Sequence, residues 1–246
     1  MQTSGNGKYV AVCLVEDDPP DRDPDHPRAR IGLIGAEETE IAWVATVTGR
    51  RAGVAVGIRS VLPSNDGNYV AIGEWDNKIA MVDVRAGKVA WIKPPAACYL
   101  AFSPDSKEIY GGAVDGSVRA LDVQTGNELG RWYATESGAS EYGQRISCVA
   151  VSPDGRWVAA GAGIEGLVFV ASAATNKVVT ILNHGGATVL LVHFSPDSKA
   201  LATFVPGTLK IWNVTQWDKT PPSTAPAQTQ PVAPQSATSE SGTGRP

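Results

Sequence analysis

Short apolar runs alternate with polar turns along most of the chain, and the turns repeat one short sequence. Ser103-Pro104-Asp105-Ser106 recurs as Ser152-Pro153-Asp154-Gly155 and Ser195-Pro196-Asp197-Ser198, with a looser copy at Ser64-Asn65-Asp66-Gly67. In chain order the four copies begin 39, 49 and 43 residues apart. Proline presets the second position of a tight turn, aspartate bonds to nearby backbone, and glycine suits the closing position. The repeat therefore marks one turn in each of several similar units.

The apolar runs on either side of each turn predict β-strands. Runs such as Tyr99-Leu100-Ala101-Phe102 precede the turn, and runs such as Trp157-Val158-Ala159-Ala160 follow it. A third strand, as at 117–123, comes after a glycine-containing turn, and a more polar fourth strand, as at 88–92, closes most units. Strands that are apolar on both faces are typical of sheets covered on each side. The sequence predicts an all-β fold of about five four-stranded units, at residues 1–49, 50–94, 95–142, 143–182 and 183–217.

The order of these strands and turns resembles the WD (Trp-Asp) repeat. The resemblance rests on the Ser-Pro-Asp-Gly turn and on third strands such as Val118-Arg119-Ala120-Leu121-Asp122; it is clear over residues 51–217 and weak over 8–49. Only Trp212-Asn213 comes near the Trp-Asp pair, and His184-Gly185 lies one residue out of register with the family's Gly-His pair. The resemblance implies a β-propeller with an incomplete hydrogen-bonded tetrad. It also implies a non-catalytic interaction scaffold that binds a protein or peptide partner.

Both ends of the repeat region depart from the four-strand pattern. The first unit offers strands at 9–14, 30–34 and 40–46 with no innermost strand before them, and Pro221-Pro222 stops any fourth strand of the last unit. We expect a propeller that is incomplete or open. Three interpretations are open: a five-bladed ring with thin end blades, an arc completed by another chain through self-association, and a piece of a longer protein. Residues 218–246, rich in Pro, Ala, Thr, Ser and Gln, predict a disordered tail.

The composition is that of an ordinary globular protein, and it restricts the expected partners. Hydrophobic residues make up 43% of the chain, and the formal net charge is −4, so we expect no nucleic-acid partner. No apolar run approaches the ~20 residues of a membrane helix, so we expect no membrane partner. Three scattered cysteines do not form a disulfide framework, and no signal peptide is recognisable at the N-terminus. These features predict a cytoplasmic location.

Candidate metal, nucleotide and catalytic motifs are incomplete. Asp21, Asp23 and Asp25 have the spacing that begins a calcium loop, but His26 stands where that loop requires glycine. Residues 161–166 match the dinucleotide pattern G-x-G-x-x-G, yet a strand-like run follows where the motif needs a helix. No nucleophile elbow or phosphate loop is recognisable. We predict no cofactor, no metal site and no enzymatic activity.

One short segment is the best candidate for contact with a partner. Trp75 stands at a strand end between Glu74 and Asp76, and tryptophan combines a large contact area with a polar N–H group. We therefore predict that Trp75, Glu74 and Asp76 contribute to partner binding. His193 is expected at an interface between units, with its ring hydrogen-bonded. Four tryptophans at strand positions are expected to pack one unit on the next: Trp43, Trp91, Trp132 and Trp212.

Two other functions stay open on the sequence alone. Residues 115–126 and 86–91 also resemble repeats of quinoprotein-type propellers, which include quinone-dependent dehydrogenases and assembly factors without activity. The adjacent cysteine pair and the calcium-binding acids of those enzymes are not recognisable here. Bacterial WD-repeat propellers are often attached to kinase or protease domains. The second alternative is therefore that this chain is the sensory or docking portion of a larger multidomain protein.

Overall fold

The structure is a computed structural model, and it describes residues 2–16, 28–38, 40–48, 58–74, 78–93, 99–134, 145–163 and 166–219. Within these ranges the chain forms five antiparallel sheets, each a meander of consecutive strands. The first sheet contains β1 (Gln2–Thr3), β2 (Tyr9–Glu16), β3 (Arg28–Gly35) and β4 (Ala42–Thr48). The second contains β5 (Ile58–Pro63), β6 (Tyr69–Glu74), β7 (Ile79–Asp83) and β8 (Lys88–Lys93).

The other three sheets follow the same order along the chain. The third contains β9 (Tyr99–Phe102), β10 (Glu108–Gly112), β11 (Ser117–Asp122) and β12 (Glu128–Tyr133). The fourth contains β13 (Ile146–Val151), β14 (Trp157–Ala162), β15 (Leu167–Ser172) and β16 (Lys177–Asn183). The fifth contains three strands, β17 (Leu191–Phe194), β18 (Ala200–Val205) and β19 (Thr208–Asn213), and a 3₁₀ helix follows at Val214–Lys219.

The core consists of four apolar clusters, each between one sheet and the next. The second and third strands of a sheet are apolar on both faces, so one set of side chains packs on the preceding sheet and the alternate set on the following sheet. In β11, for example, Val118 and Ala120 pack against Val158 and Ala160 of the fourth sheet, while Leu121 packs towards the second. The predicted all-β architecture of stacked four-stranded units is confirmed.

The first sheet corrects one expectation, because it does have an innermost strand. The two residues of β1 pair with Val10 and Ala11 of β2. They are followed by Ser4-Gly5-Asn6-Gly7, where the Ser4 Oγ donates to the Asn6 Oδ1 at 2.7 Å and Gly7 has a φ of 71°. This is the repeated turn with Asn6 in the place of aspartate. The copy was missed because it has neither the proline nor the carboxylate, and because two residues are too few for an apolar run.

The fifth sheet ends after its third strand, as the sequence predicted, and the turn explains why. In the second, third and fourth sheets a left-handed residue four positions after the end of the third strand turns the chain into a fourth strand: Gly87, Gly126 and Asn176. Trp217 occupies the equivalent position after β19. Its buried ring lies edge-on to Trp157 at 5.9 Å and to Phe194 at 6.4 Å between ring centroids. The chain therefore turns back towards the fourth sheet instead of forming a fourth strand.

The five sheets form an open arc. Within the described ranges, sheet-to-sheet packing and core clusters occur between consecutive sheets, and no comparable contact joins the first sheet to the fifth. One face of the first sheet and one face of the fifth are consequently left without a neighbouring sheet. These two end faces are where the structure differs most from a closed ring.

Candidate protein-binding surfaces

The predicted contact segment lies almost entirely outside the described residues. Glu74 is the last residue of β6, while Trp75 and Asp76 fall in the connection between β6 and β7, which is not described. Their contribution to partner binding stays a prediction. The Asp21, Asp23 and Asp25 loop also lies outside the described residues.

The repeated turns share one hydrogen-bonded geometry. In the turn of the third sheet the Ser103 Oγ donates to the Asp105 Oδ1 at 2.7 Å, and the same carboxylate oxygen accepts the N–H of Lys107. The hydrogen bond from Ser103 is the main reason that the pKa of Asp105 lies below its usual value. Hydrogen bonds likewise lower the pKa of the equivalent carboxyl at Asp66, Asp154 and Asp197. These carboxylates stabilise the turns through hydrogen bonds to serine hydroxyls and backbone N–H groups.

The closing residue of two of these turns links adjacent sheets. Ser106 and Ser198 adopt φ values of 61° and 59°, in the left-handed region where the other copies have glycine. The Ser106 Oγ accepts the backbone N–H of Asp66 at 3.2 Å, and the Ser198 Oγ accepts that of Asp154 at 3.0 Å. Glycine could not make either hydrogen bond. The turns therefore bind the second sheet to the third and the fourth to the fifth at one face of the arc.

A shallow cleft of about 350 Å³ lies between the third and fourth sheets at this face. Its charged lining residues are Asp105, Glu108 and Asp154. Tyr110 donates its hydroxyl proton to Glu108 at 2.5 Å, and Arg156 pairs with Asp154 at 2.7 Å. Burial, together with Glu108, raises the pKa of the Tyr110 hydroxyl, which stays protonated. Asp105 in turn interacts with Ser103 and Lys107, so each carboxylate of the cleft has a partner within its own sheet.

The fifth sheet contains three members of the tetrad that the family resemblance implies. The Trp212 Nε1 donates to the Thr203 Oγ1 at 2.8 Å, and the His184 Nε2 lies 3.1 Å from the Thr203 carbonyl oxygen. The buried His184 Nδ1 has no partner in the described part of the chain. Pro206-Gly207 occupies the turn that corresponds to Asp115-Gly116 of the third sheet. The tetrad is incomplete, as predicted, because this turn has no carboxylate.

The end face of the fifth sheet is the most apolar uncovered surface of the described structure. The register places Leu191, Phe204 and Leu209 in one row across the three strands, and His193, Ala202 and Ile211 in the next row. We call these six residues the end face. Leu209 is 61% exposed and Ile211 is 64% exposed. His193 is exposed on this face as well, which corrects the expectation that it packs between units, because no described strand packs on this face of the fifth sheet.

The same positions are covered in the sheets that have a following neighbour. Leu209 and Ile211 correspond to Val118 and Ala120 in β11 and to Val168 and Val170 in β15, counted back from the strand ends. Those four residues are at most 2% exposed. The end face therefore has the side chains of an interface between sheets but nothing among the described residues packed against it.

The uncovered face of the first sheet is partly covered by its own side chains. Ile41 and Trp43 fill the space in front of Gly32, where a side chain on Gly32 would collide with them. The Arg30 guanidinium lies over the Trp43 ring at 4.3 Å from its centroid. Trp43 is 40% exposed, so it does not pack between two sheets as predicted, whereas Trp91 and Trp132 are buried. Ile41 and Trp43 of the first sheet are thus less exposed than Leu209 and Ile211 of the fifth.

Two features are absent from the described residues. These residues contain no group of three histidine, cysteine, aspartate or glutamate side chains placed to hold a metal ion. Among the same residues, no helix is long and apolar enough to span a membrane.

Comparisons with known proteins agree with this geometry. The family model described as "WD domain, G-beta repeat" matches residues 136–170. "WD repeat-containing protein SL1-17" of Schistosoma mansoni is 30% identical over 61% of this chain and 48% of its own length. "Periodic tryptophan protein 2 homolog" of Dictyostelium discoideum is 27% identical over 67% of this chain and 18% of its own length. The chain thus spans about half, or less, of the length of these relatives.

A solved structure supports the fold. A chain in the crystal structure of a mitotic checkpoint complex superimposes with a TM-score of 0.64 at 18% identity, over 87% of this chain and 61% of the solved one. Repeated four-stranded sheets packed face to face, with this structural neighbour, define a β-propeller protein in the form of an open arc. The comparisons also show a likeness at the level of the family: residues 136–170 match the WD repeat, and longer parts of the chain are similar to a WD-repeat protein and a periodic tryptophan protein.

Proposed function

We propose that this chain is a non-catalytic protein-interaction scaffold of the cytoplasm, and that partners dock on the end face. The observation that carries the proposal is the exposure of Leu209 and Ile211, whose equivalents in other sheets are buried. A contiguous apolar patch costs solvation free energy while it stays exposed, and such patches mark protein contacts. The free thiol at the buried Cys148 is compatible with a reducing compartment.

The experiment compares capture of partners by variants of the full chain. Immobilised protein is crosslinked in a lysate of the source organism, and bound proteins are identified by mass spectrometry. We expect partners that are retained by wild type and lost with the Leu209→Glu/Ile211→Glu double variant. Leu129→Glu is the matched control, because Leu129 is also an exposed leucine but lies on β12, away from the end face. Equal capture by all three proteins would contradict docking at this face.

A second copy of the chain is one partner that the sequence predicted, and self-association stays a prediction. The second strand of the first sheet, Tyr9-Val10-Ala11-Val12, repeats Tyr69-Val70-Ala71-Ile72 of the second sheet. Val70 and Ile72 pack on the preceding sheet, so Val10 and Val12 present the same kind of surface. Light scattering over a range of concentrations measures the mass. A monomer at all concentrations would exclude completion of the propeller by a second copy.

The quinoprotein alternative has no observation in its favour in the described structure, and the relatives above are named as WD-repeat or periodic tryptophan proteins. The chain covers about half, or less, of the length of its relatives, which is compatible with a sensory or docking role within a larger protein. Both stay predictions. Assay of the purified protein for dye-linked alcohol oxidation tests the former.

A further inference from the structure

The outer edge of β19 has unpaired backbone groups. Val205 and Thr208 are partners across the two-residue turn at Pro206-Gly207. From this pair onward, the residues of β19 alternate between positions that are hydrogen-bonded to β18 and positions that are not. The N–H and C=O groups of Thr208, Lys210 and Trp212 therefore point towards β18. The N–H and C=O groups of Leu209 and Ile211, and the N–H of Asn213, point away from β18, and no described strand pairs with β19 on that edge. An edge of this kind is a template for another strand.

The edge also lacks the usual protection against pairing. β19 contains no proline, and its register with β18 is continuous without a bulge. Its one charged residue, Lys210, is directed to the other face, where the Nζ donates to the carbonyl oxygens of Asn183 and His184. Proline, bulges and outward charges are the devices that normally keep an edge strand unpaired.

The chain itself offers a poor strand for this edge. The 3₁₀ helix at Val214–Lys219 buries Trp217 against the fourth sheet and so directs the chain away from β19. The 27 residues after Lys219 contain six prolines and a single large aliphatic residue, Val232. Proline cannot donate to a ladder, and a strand without apolar residues cannot cover Leu209 and Ile211.

The other sheets show what chemistry suits the position. Each third strand from the second to the fourth sheet pairs with an antiparallel fourth strand. In the third and fourth sheets the residues opposite the Leu209 equivalents Val118 and Val168 are Trp132 and Leu182, and both are buried, whereas the second sheet has Lys93 opposite Ile79. Because Leu209 is exposed and apolar, a strand on β19 that follows the third and fourth sheets would place a large apolar side chain next to it.

We propose that β19 binds an extended segment of a partner protein, added antiparallel to its outer edge, with apolar residues at alternate positions and a large one opposite Leu209. The proposal rests on the proposed scaffold function and specifies its mode of binding. The backbone hydrogen bonds of Leu209, Ile211 and Asn213 supply affinity, and the apolar residues of the segment supply selectivity. Partner residues that flank the segment cover the rest of the end face.

The test uses the full chain and a capped peptide with the sequence of Lys177–Asn183, the fourth strand of the preceding sheet. Residue-resolved amide hydrogen exchange is followed by NMR with and without peptide. We expect exchange at Leu209, Ile211 and Asn213 to slow by about tenfold or more at saturation. The control peptide has proline in place of Thr180 and Ile181, which removes N–H groups from both edges of the strand, and it should have no effect.

A protein variant provides the second arm. Ile211→Pro removes an outward N–H without removing a bond to β18, so we expect a folded protein with peptide affinity reduced by about tenfold or more. Ile211→Ala keeps the N–H and also lacks the isoleucine side chain, so it should bind more tightly than Ile211→Pro, and the difference between the two variants measures the backbone hydrogen bond. Should Ile211→Pro unfold, the proline-containing peptide still tests the backbone contacts.

Three outcomes would overturn the proposal. The first is peptide binding that leaves the three amides unprotected. The second is slow exchange of these amides in the free chain, without peptide. Protection that persists on dilution would mean that the chain's own tail pairs with the edge, and protection that is lost on dilution would mean that a second copy does. The third is unchanged binding by a folded Ile211→Pro variant. The scaffold function is judged separately. If capture of partners still depends on Leu209 and Ile211 after the strand proposal has failed, partners dock on the end face without adding a strand to β19.

Discussion

The Oγ of Ser198 accepts the backbone N–H of Asp154 across the boundary between the fifth and fourth sheets, at 3.0 Å. Ser198 does so from a left-handed backbone conformation that costs a non-glycine residue roughly 1 kcal/mol. The hydrogen bond contributes a similar amount, so conformational strain at the turn is offset by a link between sheets.

Substitutions at Ser198 separate these two effects. Ser198→Ala keeps the strain and loses the hydrogen bond, and we expect the free energy of unfolding to fall by about 1 kcal/mol. Ser198→Gly loses the bond but relieves the strain, so its loss should stay under about 0.5 kcal/mol. Urea denaturation followed by tryptophan fluorescence measures both. A glycine variant less stable than the alanine variant would contradict the account.

The pKa of Asp105 predicts how stability depends on pH. Because the folded state holds this pKa below its usual value, its hydrogen bonds add stability above about pH 4, and that stability is lost as the pH falls through the folded-state pKa. Asp105→Asn should therefore lower the unfolding free energy at pH 7, by under about 1 kcal/mol because the carboxyl is exposed, and have a smaller effect at pH 2.5.

Denaturation at the two pH values measures the Asp105→Asn effect. Asparagine is structurally acceptable in this turn, since Asn6 occupies the equivalent place in the first sheet. An equal loss at both pH values would point to a steric cause instead of an electrostatic one.

The hydrogen bond between Trp212 and Thr203 gives a third prediction. Thr203→Val preserves the shape of a fully buried side chain but removes the acceptor of the Trp212 N–H. We expect a loss of about 1 kcal/mol, because Trp212 is partly exposed and water reaches its N–H group. Thr203→Ser should retain most of the stability. Thermal denaturation of the two variants gives the comparison, and equal melting temperatures would refute the role of this bond.

Trp217 should be among the most sensitive single residues of the fifth sheet. Trp217→Ala removes a buried ring from the contact with Trp157 and Phe194, and such substitutions cost about 3–5 kcal/mol. Leu209→Ala, at an exposed site, should change the unfolding free energy by under about 0.5 kcal/mol. Urea denaturation tests both. A loss under 1 kcal/mol for Trp217→Ala would mean that this ring does not fix the end of the sheet.

The Cys148 thiol should react slowly in the native protein. Burial raises its pKa to about 11, which lowers the thiolate fraction at pH 8 by about a hundredfold relative to an ordinary cysteine. Alkylation with iodoacetamide, followed by mass spectrometry of the peptide that contains Cys148, should be at least that much slower in buffer than in urea. Comparable rates in the two conditions would show that the fourth sheet opens readily.

The fold could be predicted because its signals are local. The turns at Ser103 and Ser152 and the flanking apolar runs identify strands and their order, and the structure has them in these places. The turn at Ser4 escaped recognition because Asn6 forms the hydrogen bond expected of aspartate. The end of the fifth sheet was correctly predicted from Pro221-Pro222, although Trp217 is what directs the chain away.

The candidate site was harder to predict, because exposure depends on what packs nearby. Leu209 and Ile211 have the pattern of any buried strand, and the sequence has no local sign that a neighbour is missing. The useful signal was the strand count, which indicated an incomplete last unit. Trp75, the predicted anchor, rests on its residue type, its acidic neighbours and its place at a strand end, and its role in binding stays a prediction.

The restriction of packing to consecutive sheets also governs how the molecule unfolds. Since the described residues of the first and fifth sheets do not pack on each other, the arc is a linear array in which each sheet is stabilised by its nearest neighbours. The third sheet has a partner on each side, whereas the first and fifth have one each. Opening should therefore begin at the termini and spread inwards. A segment bound at the fifth sheet would slow that process from one end, and so lengthen the lifetime of sheets that it never touches.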